Sequence, residues 1–329
     1  MKMLFFECEP WQETLFRKAF TKNQLFFSPH PLTQNTIPQN HLDAEIISIF
    51  TCSCINPNIL NHFPNLKFLI TRSTGYDHVD LSELKKRTIA FAYIPHYADR
   101  SVAEYTFALI FNLARKINLA IKVSQEHSHS IDVLRGFDLW GKTIGVIGTG
   151  NIGSNVIRIA HCIGMKTIAF DVKQNDILIK ECGTNYLSLE KLLQNADIIS
   201  IHVPLNEKTF HLINKKNISL IKIGAYLINT ARGGIIDTDA LIEALQKNII
   251  AGAALDVLEE ECLTHDPSRL LSQSHPDEKR LKIALENNYL LNHPNVIITP
   301  HNAFNSKEAL ERLTRETIAE IEKFKKGNG

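Results

Sequence analysis

Three kinds of residue in this chain are suited to share one reaction. Arg232 stands in "NTARGG", Glu259, Glu260 and Glu261 run together in "LDVLEEE", and His301 stands in "ITPHNAF". Histidine is the side chain best suited to exchange a proton near neutral pH. A carboxylate beside it favours the imidazolium form and orients the ring. Arginine offers a planar fork that holds a carboxylate through two hydrogen bonds and helps polarise an adjacent carbonyl. The competing reading makes Arg232 a structural ion-pair residue and His301 a capping or core residue.

What brings these residues together is where they fall in the chain. Between Thr143 and Thr299 six short apolar runs recur: "TIGVIG", "KTIAFD", "DIISIHV", "AYLINT", "AGAALDV" and "NVIIT". They read as strands buried on both faces. Helix-like stretches lie between them: "NIGSNVIRIAHCIG", "SLEKLLQNA", "NKKNISLIK", "DTDALIEALQKN" with Asp237 as N-cap, and "PDEKRLKIALENNYLL". Strands alternating with helices imply a parallel, doubly wound sheet. Ligands of such sheets bind outside the carboxyl ends of the strands. His202, Val203 and Pro204 follow the third run, Thr230, Ala231 and Arg232 the fourth, Asp256 and the three glutamates the fifth, and His301 the sixth. They are therefore expected on one rim.

The first of these strands leads into "GTGNIG". Gly148, Gly150 and Gly153 form G-x-G-x-x-G, with Asn151 and Ile152 opening the next helix. Glycine turns are common, but here the pattern follows a strand and opens a helix. Gly148 permits a tight turn, Gly150 lets backbone amides approach a pyrophosphate, and Gly153 allows close helix–strand packing. The helix N-terminus adds partial positive charge. Asp171 ends the next strand, about 20 residues on, where the ribose-binding acid of NAD sites is expected; it would repel the extra phosphate of NADP. A nicotinamide site, a histidine acid/base and an arginine grip together suit the interconversion of a 2-oxo acid and a 2-hydroxy acid.

The remaining chain sets the frame. A length of 329 residues implies two domains. "KMLFFE", "AEIISIFT", "LKFLITRS" and "TIAFAYIP" read as strands of a second α/β unit, with a helix at "PWQETLFRKAF". Residues 101–126 read as one long helix joining the units, and "SKEALERLTRETIAEIEKFKKG" as an amphipathic helix closing the chain. A net charge of +1 gives no argument for nucleic acid or an acidic membrane surface. No apolar run reaches the roughly 18 residues of a membrane span, and the N-terminus meets Glu7 and Glu9 too soon for a signal peptide. The six cysteines are scattered at 8, 52, 54, 162, 182 and 262. They read as reduced thiols of a cytoplasmic protein, most of them packed in the core.

The segments "STGYDHVDL", "VAEYTFALI", "GKTIGVIGTGNIG", "HVPLNEKT", "LINTARGGIIDTDAL", "AALDVLEEE" and "NVIITPHNAF" occur in the order of the D-isomer-specific 2-hydroxyacid dehydrogenase family, which the chain resembles from about residue 70 to 310. The resemblance implies a Rossmann NAD-binding domain at 101–301, inserted into a flavodoxin-like substrate domain at 1–100 plus 302–329. The active site would lie in the cleft between them, closure excluding water. It implies that Arg232 binds the substrate carboxylate and carbonyl, that His301 is the acid/base and that Glu261 is its partner. Asp256 would contact the nicotinamide carboxamide, and His202 would border the adenine pocket. Thr74 and Gly75 would offer amides to the substrate carboxylate, and Tyr97 and Phe304 would line the pocket as in lactate-type members. A homodimer and a small 2-oxo or 2-hydroxy acid as the only partner are also implied.

Hydroxypyruvate or glyoxylate reductase and phosphoglycerate dehydrogenase are alternatives within the family. The last needs a phosphate site, and no clear cluster of basic residues stands near the substrate loop, where Arg72 and Arg100 are the only candidates. A NAD(H)-sensing binding protein or corepressor is the alternative of another class. The stretch 262–293 is longer than in many relatives, and Cys262 stands where proline is common. Its His265, His275 and His293 fit no common metal spacing and read as a solvated loop and helix.

Overall fold

Rows of Ile, Leu, Val and Ala without polar alternation are stable as strands only where both faces of a sheet are covered. Both sheets of this protein are built from such rows. The computed structural model describes residues 1–126, 131–261 and 277–327. The chain divides into two compact units, Met1–Ala98 with Ser306–Gly329, and Asp99–Asn305.

The first unit alternates β1 (Lys2–Phe5), α1 (Pro10–Ala19), β2 (Gln24–Phe27), β3 (Ile46–Ile49), α2 (Pro57–Leu60), β4 (Phe68–Thr71), α3 (Leu81–Lys86) and β5 (Ala90–Tyr93). Its five strands are parallel in the order β2-β1-β3-β4-β5, the flavodoxin-like winding. β3 and β4 are buried at every position. The C-terminal helix Lys307–Lys325 returns to this unit. Gln12 Nε2 donates to Thr314 Oγ1 at 3.1 Å, and Phe324 stacks on Phe68 with ring centroids 4.5 Å apart.

Arg72, one of the two basic candidates for a phosphate site, lies at the carboxyl end of β4. It is 1% exposed and sits inside the unit. Its guanidinium donates to Ser48 Oγ at 2.9 Å and to the carbonyls of Phe6 and Glu7 at 2.6 and 2.7 Å. Burial pulls its pKa below the usual arginine range. Its donors tie the ends of β1 and β3 to β4, so Arg72 is not a phosphate ligand.

The second unit contains α4 (Asp99–Arg115), α5 (Ile117–Gln125), β6 (Thr143–Ile147), α6 (Asn151–Cys162), β7 (Lys166–Phe170), α7 (Asp176–Cys182), β8 (Asn185–Tyr186), α8 (Leu189–Asn195), β9 (Ile198–Ile201), β10 (Ala225–Asn229), α9 (Thr238–Gln246), β11 (Ile250–Leu255), α10 (Glu278–Leu291) and β12 (Val296–Ile298). All seven strands are parallel, in the order β12-β11-β10-β9-β6-β7-β8. This is the Rossmann order with one strand added beyond the sixth. The order reverses at β6 and β9, so the carboxyl ends of these two strands form the ligand-binding switch point. Asp237 caps α9 by accepting from the Ala240 amide.

Four local expectations are corrected. The helix read over 101–126 is two helices, broken at Lys116 with φ 52°. The Ala114 carbonyl accepts from the Phe137 amide, and the Asn118 amide turns to Asn112 Oδ1, so the ladder stops without a breaker residue. "NKKNISLIK" yields only a 3-10 turn at Ile218–Leu220. There Asn214 and Asn217 side chains bond the local backbone and compete with a helix. Strands β2 and β8 were not expected. Of the cysteines, Cys52, Cys54 and Cys162 are exposed and only Cys8 and Cys182 are buried among the described residues, so core packing does not account for most of them. Cys262, His265 and His275 lie outside the described residues.

Replacing Arg72 by leucine removes every donor on Ser48, Phe6 and Glu7 that it supplies. A loss of about 3 kcal/mol or more in unfolding free energy is expected, measurable by urea denaturation.

Candidate active site

The glycine loop at the end of β6 is shaped by close approach. Gly148 has φ 92°, and a Cβ there would lie 2.6 Å from the His202 carbonyl. A Cβ on Gly153 would lie 1.9 Å from the Gly148 carbonyl, so α6 can pack against the strand only with glycine there. Gly150 differs, since a Cβ there would meet nothing within 4 Å. That open space lies at the N-terminus of the 12-residue α6, where amides and helix dipole favour an anion. Asn151 at the first helical position is exposed and bonds Asp99 at 2.9 Å; Ile152 is half-buried. The loop fits a pyrophosphate.

Asp171, one residue beyond β7, is fixed beside it. Its Oδ2 accepts from the Thr149 amide at 2.5 Å and Thr149 Oγ1 at 3.1 Å, and its Oδ1 from the Lys173 amide at 3.1 Å. Tyr186 of the short strand β8 donates to Thr149 Oγ1 at 2.9 Å. No sequence signal pointed to Tyr186, because a two-residue strand has no periodicity. After β9, His202 Nε2 meets Ser200 Oγ at 2.7 Å, and burial pushes the imidazole down to about 3. Val203 is half-buried and Pro204 exposed.

The rim at β10, β11 and β12 carries the three residues singled out first. After β10, Thr230 bonds Thr106 of α4 at 3.0 Å, and the Ala231 carbonyl accepts from Arg232 at 2.8 Å. Gly233 is forced by contact, since a Cβ there would lie 1.9 Å from the Leu258 carbonyl carbon. The arginine loop is thus pressed against the segment after β11.

That segment holds Asp256, 1% exposed. Its Oδ1 accepts from Thr299 Oγ1 at 2.5 Å and the Asn302 amide at 2.8 Å, and its Oδ2 from the Ala303 amide at 2.8 Å. The His301 amide donates to the Asp256 carbonyl at 2.8 Å. Asp256 therefore builds the turn in which His301 sits at φ 49°, a conformation costly for a residue with a side chain.

The three glutamates divide. Glu259 bonds His211 and Thr238, and Glu260 pairs with Arg280 at 3.0 Å. Glu261 Oε1 accepts from His301 Nδ1 at 2.8 Å. Burial works against the Glu261 charge, but the His301 bond and charge, the Leu258 backbone and the nearby Arg232 outweigh it. Its carboxyl therefore lies below the usual range. Phe304 meets the His301 ring edge-on with centroids 6.2 Å apart. Arg232, Glu261, His301 and Phe304 are thus brought together in one unit. The result is an imidazole with one nitrogen held by a carboxylate, which the Arg232 charge also reaches.

Residues 107–303 match the family described as D-isomer specific 2-hydroxyacid dehydrogenase, NAD binding domain. A 2-hydroxyacid dehydrogenase homolog of Zymomonas mobilis is 35% identical over 302 residues, 91% of this chain and 88% of that protein. The chain belongs to the D-isomer-specific 2-hydroxyacid dehydrogenases. An aromatic 2-oxoacid reductase of Clostridium sporogenes is 37% identical over 261 residues, 79% of this chain and 76% of that one. A crystal structure of a D-lactate dehydrogenase from Aquifex aeolicus, complexed with NAD and lactic acid, aligns with a TM-score of 0.89 at 37% identity. It covers 99% of this chain and 96% of the other. This dehydrogenase is an NAD-dependent oxidoreductase acting on the CH–OH group of 2-hydroxy acids.

In the first unit the dehydrogenase carries the other expected residues. Thr74 is exposed and Gly75 half-buried, in a turn where Ser73 Oγ donates to the Gly75 carbonyl at 2.6 Å. Tyr97 is 4% exposed, and its carbonyl accepts from Arg312 at 2.8 Å.

His202 gives the fold a pH dependence. Its folded pKa lies near 3, below the unfolded value of about 6.5. Its contribution is complete above pH 6.5 and is lost as pH falls toward 3. In His202→Gln, the stability lost between pH 7 and pH 4 should shrink by up to about 3 kcal/mol, read from urea midpoints at each pH.

Proposed function

We propose that this enzyme reduces small, unphosphorylated 2-oxo acids to D-2-hydroxy acids with NADH, as lactate-type members do. The observation that carries the reading is the His301–Glu261 pair at 2.8 Å with Arg232 beside it. Arg232 grips the substrate carboxylate and polarises the carbonyl. When bound, NADH supplies the hydride for the carbonyl carbon. His301 Nε2 gives its proton to the carbonyl oxygen while Nδ1–H stays on Glu261. The low-lying Glu261 carboxyl keeps that partner ionised into the acid range. Asp171 favours NADH by repelling a 2′-phosphate.

Phe304 beside His301 supports an apolar pocket for the substrate side chain. Burial of Arg72 argues against a phosphorylated substrate. The lactate-bound relative supports a small side chain, and the aromatic 2-oxoacid reductase marks the other end of the size range. The exposed apolar residues Ile117, Leu119 and Ile121 of α5 support a homodimer, and the free cysteines among the described residues a reducing, cytoplasmic setting. No helix among the described residues is long and apolar enough to cross a membrane.

The test is NADH oxidation against pyruvate, phenylpyruvate, 2-oxoisocaproate, hydroxypyruvate and glyoxylate, with NADPH as control. Highest kcat/KM on pyruvate supports the lactate type. Preference for hydroxypyruvate or glyoxylate overturns it, and NADH binding without turnover points to a sensing role. His301→Ala should lower turnover by about 10²–10⁴; a variant as fast as wild type removes His301 from the mechanism.

A further inference from the structure

Glu259 has no part in the chemistry above, yet its carboxylate oxygens and its carbonyl are each tied to a different segment. Its side chain is only 10% exposed, and a carboxylate so placed is stable only when paired and hydrogen-bonded. Oε1 meets His211 Nε2 at 3.0 Å, and Oε2 accepts from Thr238 Oγ1 at 3.0 Å. Its own carbonyl accepts from Asn287 Nδ2, buried on α10, at 2.8 Å.

The two side-chain partners bracket the arginine loop. The His211 amide donates to the Gly234 carbonyl at 2.8 Å, two residues from Arg232, and the Ile213 amide to the Ile235 carbonyl at 3.1 Å. Thr238 opens α9 just beyond that loop. Where a Gly233 Cβ would stand, the structure places the backbone of Leu258 and Glu259, 1.9–2.2 Å away. His211 itself is held at φ 48° by Asn214 Nδ2 on its carbonyl, with Phe210 stacked on its ring at 4.0 Å. Glu259 thus joins three chain segments at one carboxylate. Two residues further on is Glu261.

We infer that Glu259, clamped by His211 and Thr238, is a positioning residue that sets the spacing between Arg232 and the Glu261–His301 pair. The inference rests on the proposed roles of those three residues. One carboxylate fixes both the grip on the substrate and the carboxylate that aims the acid. Loosening it lets the arginine loop drift from the histidine without removing either side chain.

Glu259→Ala should bind NADH within about threefold of wild type by fluorescence titration, because the glycine loop and Asp171 are untouched. Its kcat, per NADH-titrated site, should fall about 10- to 100-fold, as expected for a displacement near 1 Å. The deuterium isotope effect on kcat with 4-deuterated NADH should rise as hydride transfer becomes rate-limiting. Glu259→Gln should recover most of the loss, since an amide of the same shape can accept from Thr238 and donate to neutral His211. If Glu259→Ala does not fold, His211→Gln decides, with an expected fall in kcat of about 3- to 10-fold. A lower melting temperature with per-site kcat and isotope effect unchanged would show a purely structural residue and overturn the inference. Arg232→Ala and His301→Ala, run alongside, separate the two readings: if both keep wild-type turnover, the proposed site fails whatever Glu259 does.

Discussion

The Asp256 carboxylate is the interaction around which the catalytic half of this protein is organised. A buried carboxylate is costly unless hydrogen-bonded, and here the turn after β12 supplies three donors, Thr299 Oγ1 and the amides of Asn302 and Ala303. Meeting that need bends the chain tightly enough to place His301 in a left-handed conformation. The ring then faces Glu261, five positions downstream of Asp256 itself. One electrostatic requirement therefore holds Glu261 and His301 in register across two adjacent strands.

The cofactor end depends on a different constraint, the absence of side chains. Gly148 and Gly153 let the turn, the next strand end and α6 occupy space that a methyl group would fill. Gly150 leaves the helix terminus open. Asp171 is fixed beside that loop by three donors, the Thr149 amide and hydroxyl and the Lys173 amide. Gly233 repeats the theme at the substrate end, where backbone contact rather than hydrogen bonding brings the arginine loop to the glutamate segment.

The first unit shows how a charged residue becomes scaffold. Arg72 has the composition of a ligand and the position of one, just after a strand. Yet its guanidinium is absorbed by Ser48 of the adjacent strand β3 and by two carbonyls just after β1, one strand further on. A sequence gives no sign of this, because a strand-end arginine is written alike whether it faces solvent or the interior.

Strand periodicity, the glycine spacing and the position of polar residues after each apolar run are local properties, set by near-neighbour sterics and burial. They made the six main strands of the second unit, the dinucleotide loop and the candidacy of Arg232, the glutamates and His301 readable from the chain alone. The choice among Glu259, Glu260 and Glu261 was not local. Three identical side chains in a row differ only in what other strands and helices bring to them, and tertiary structure gave each a separate partner: His211 with Thr238, Arg280, and His301. The break at Lys116 was equally unreadable, because its cause is the amide of Phe137, 23 residues beyond Ala114, taking the Ala114 carbonyl. Residue type and spacing determined which chemistry was available; long-range packing decided which copies of each residue are placed to perform it, since hydrogen-bond partners are chosen by distance in space.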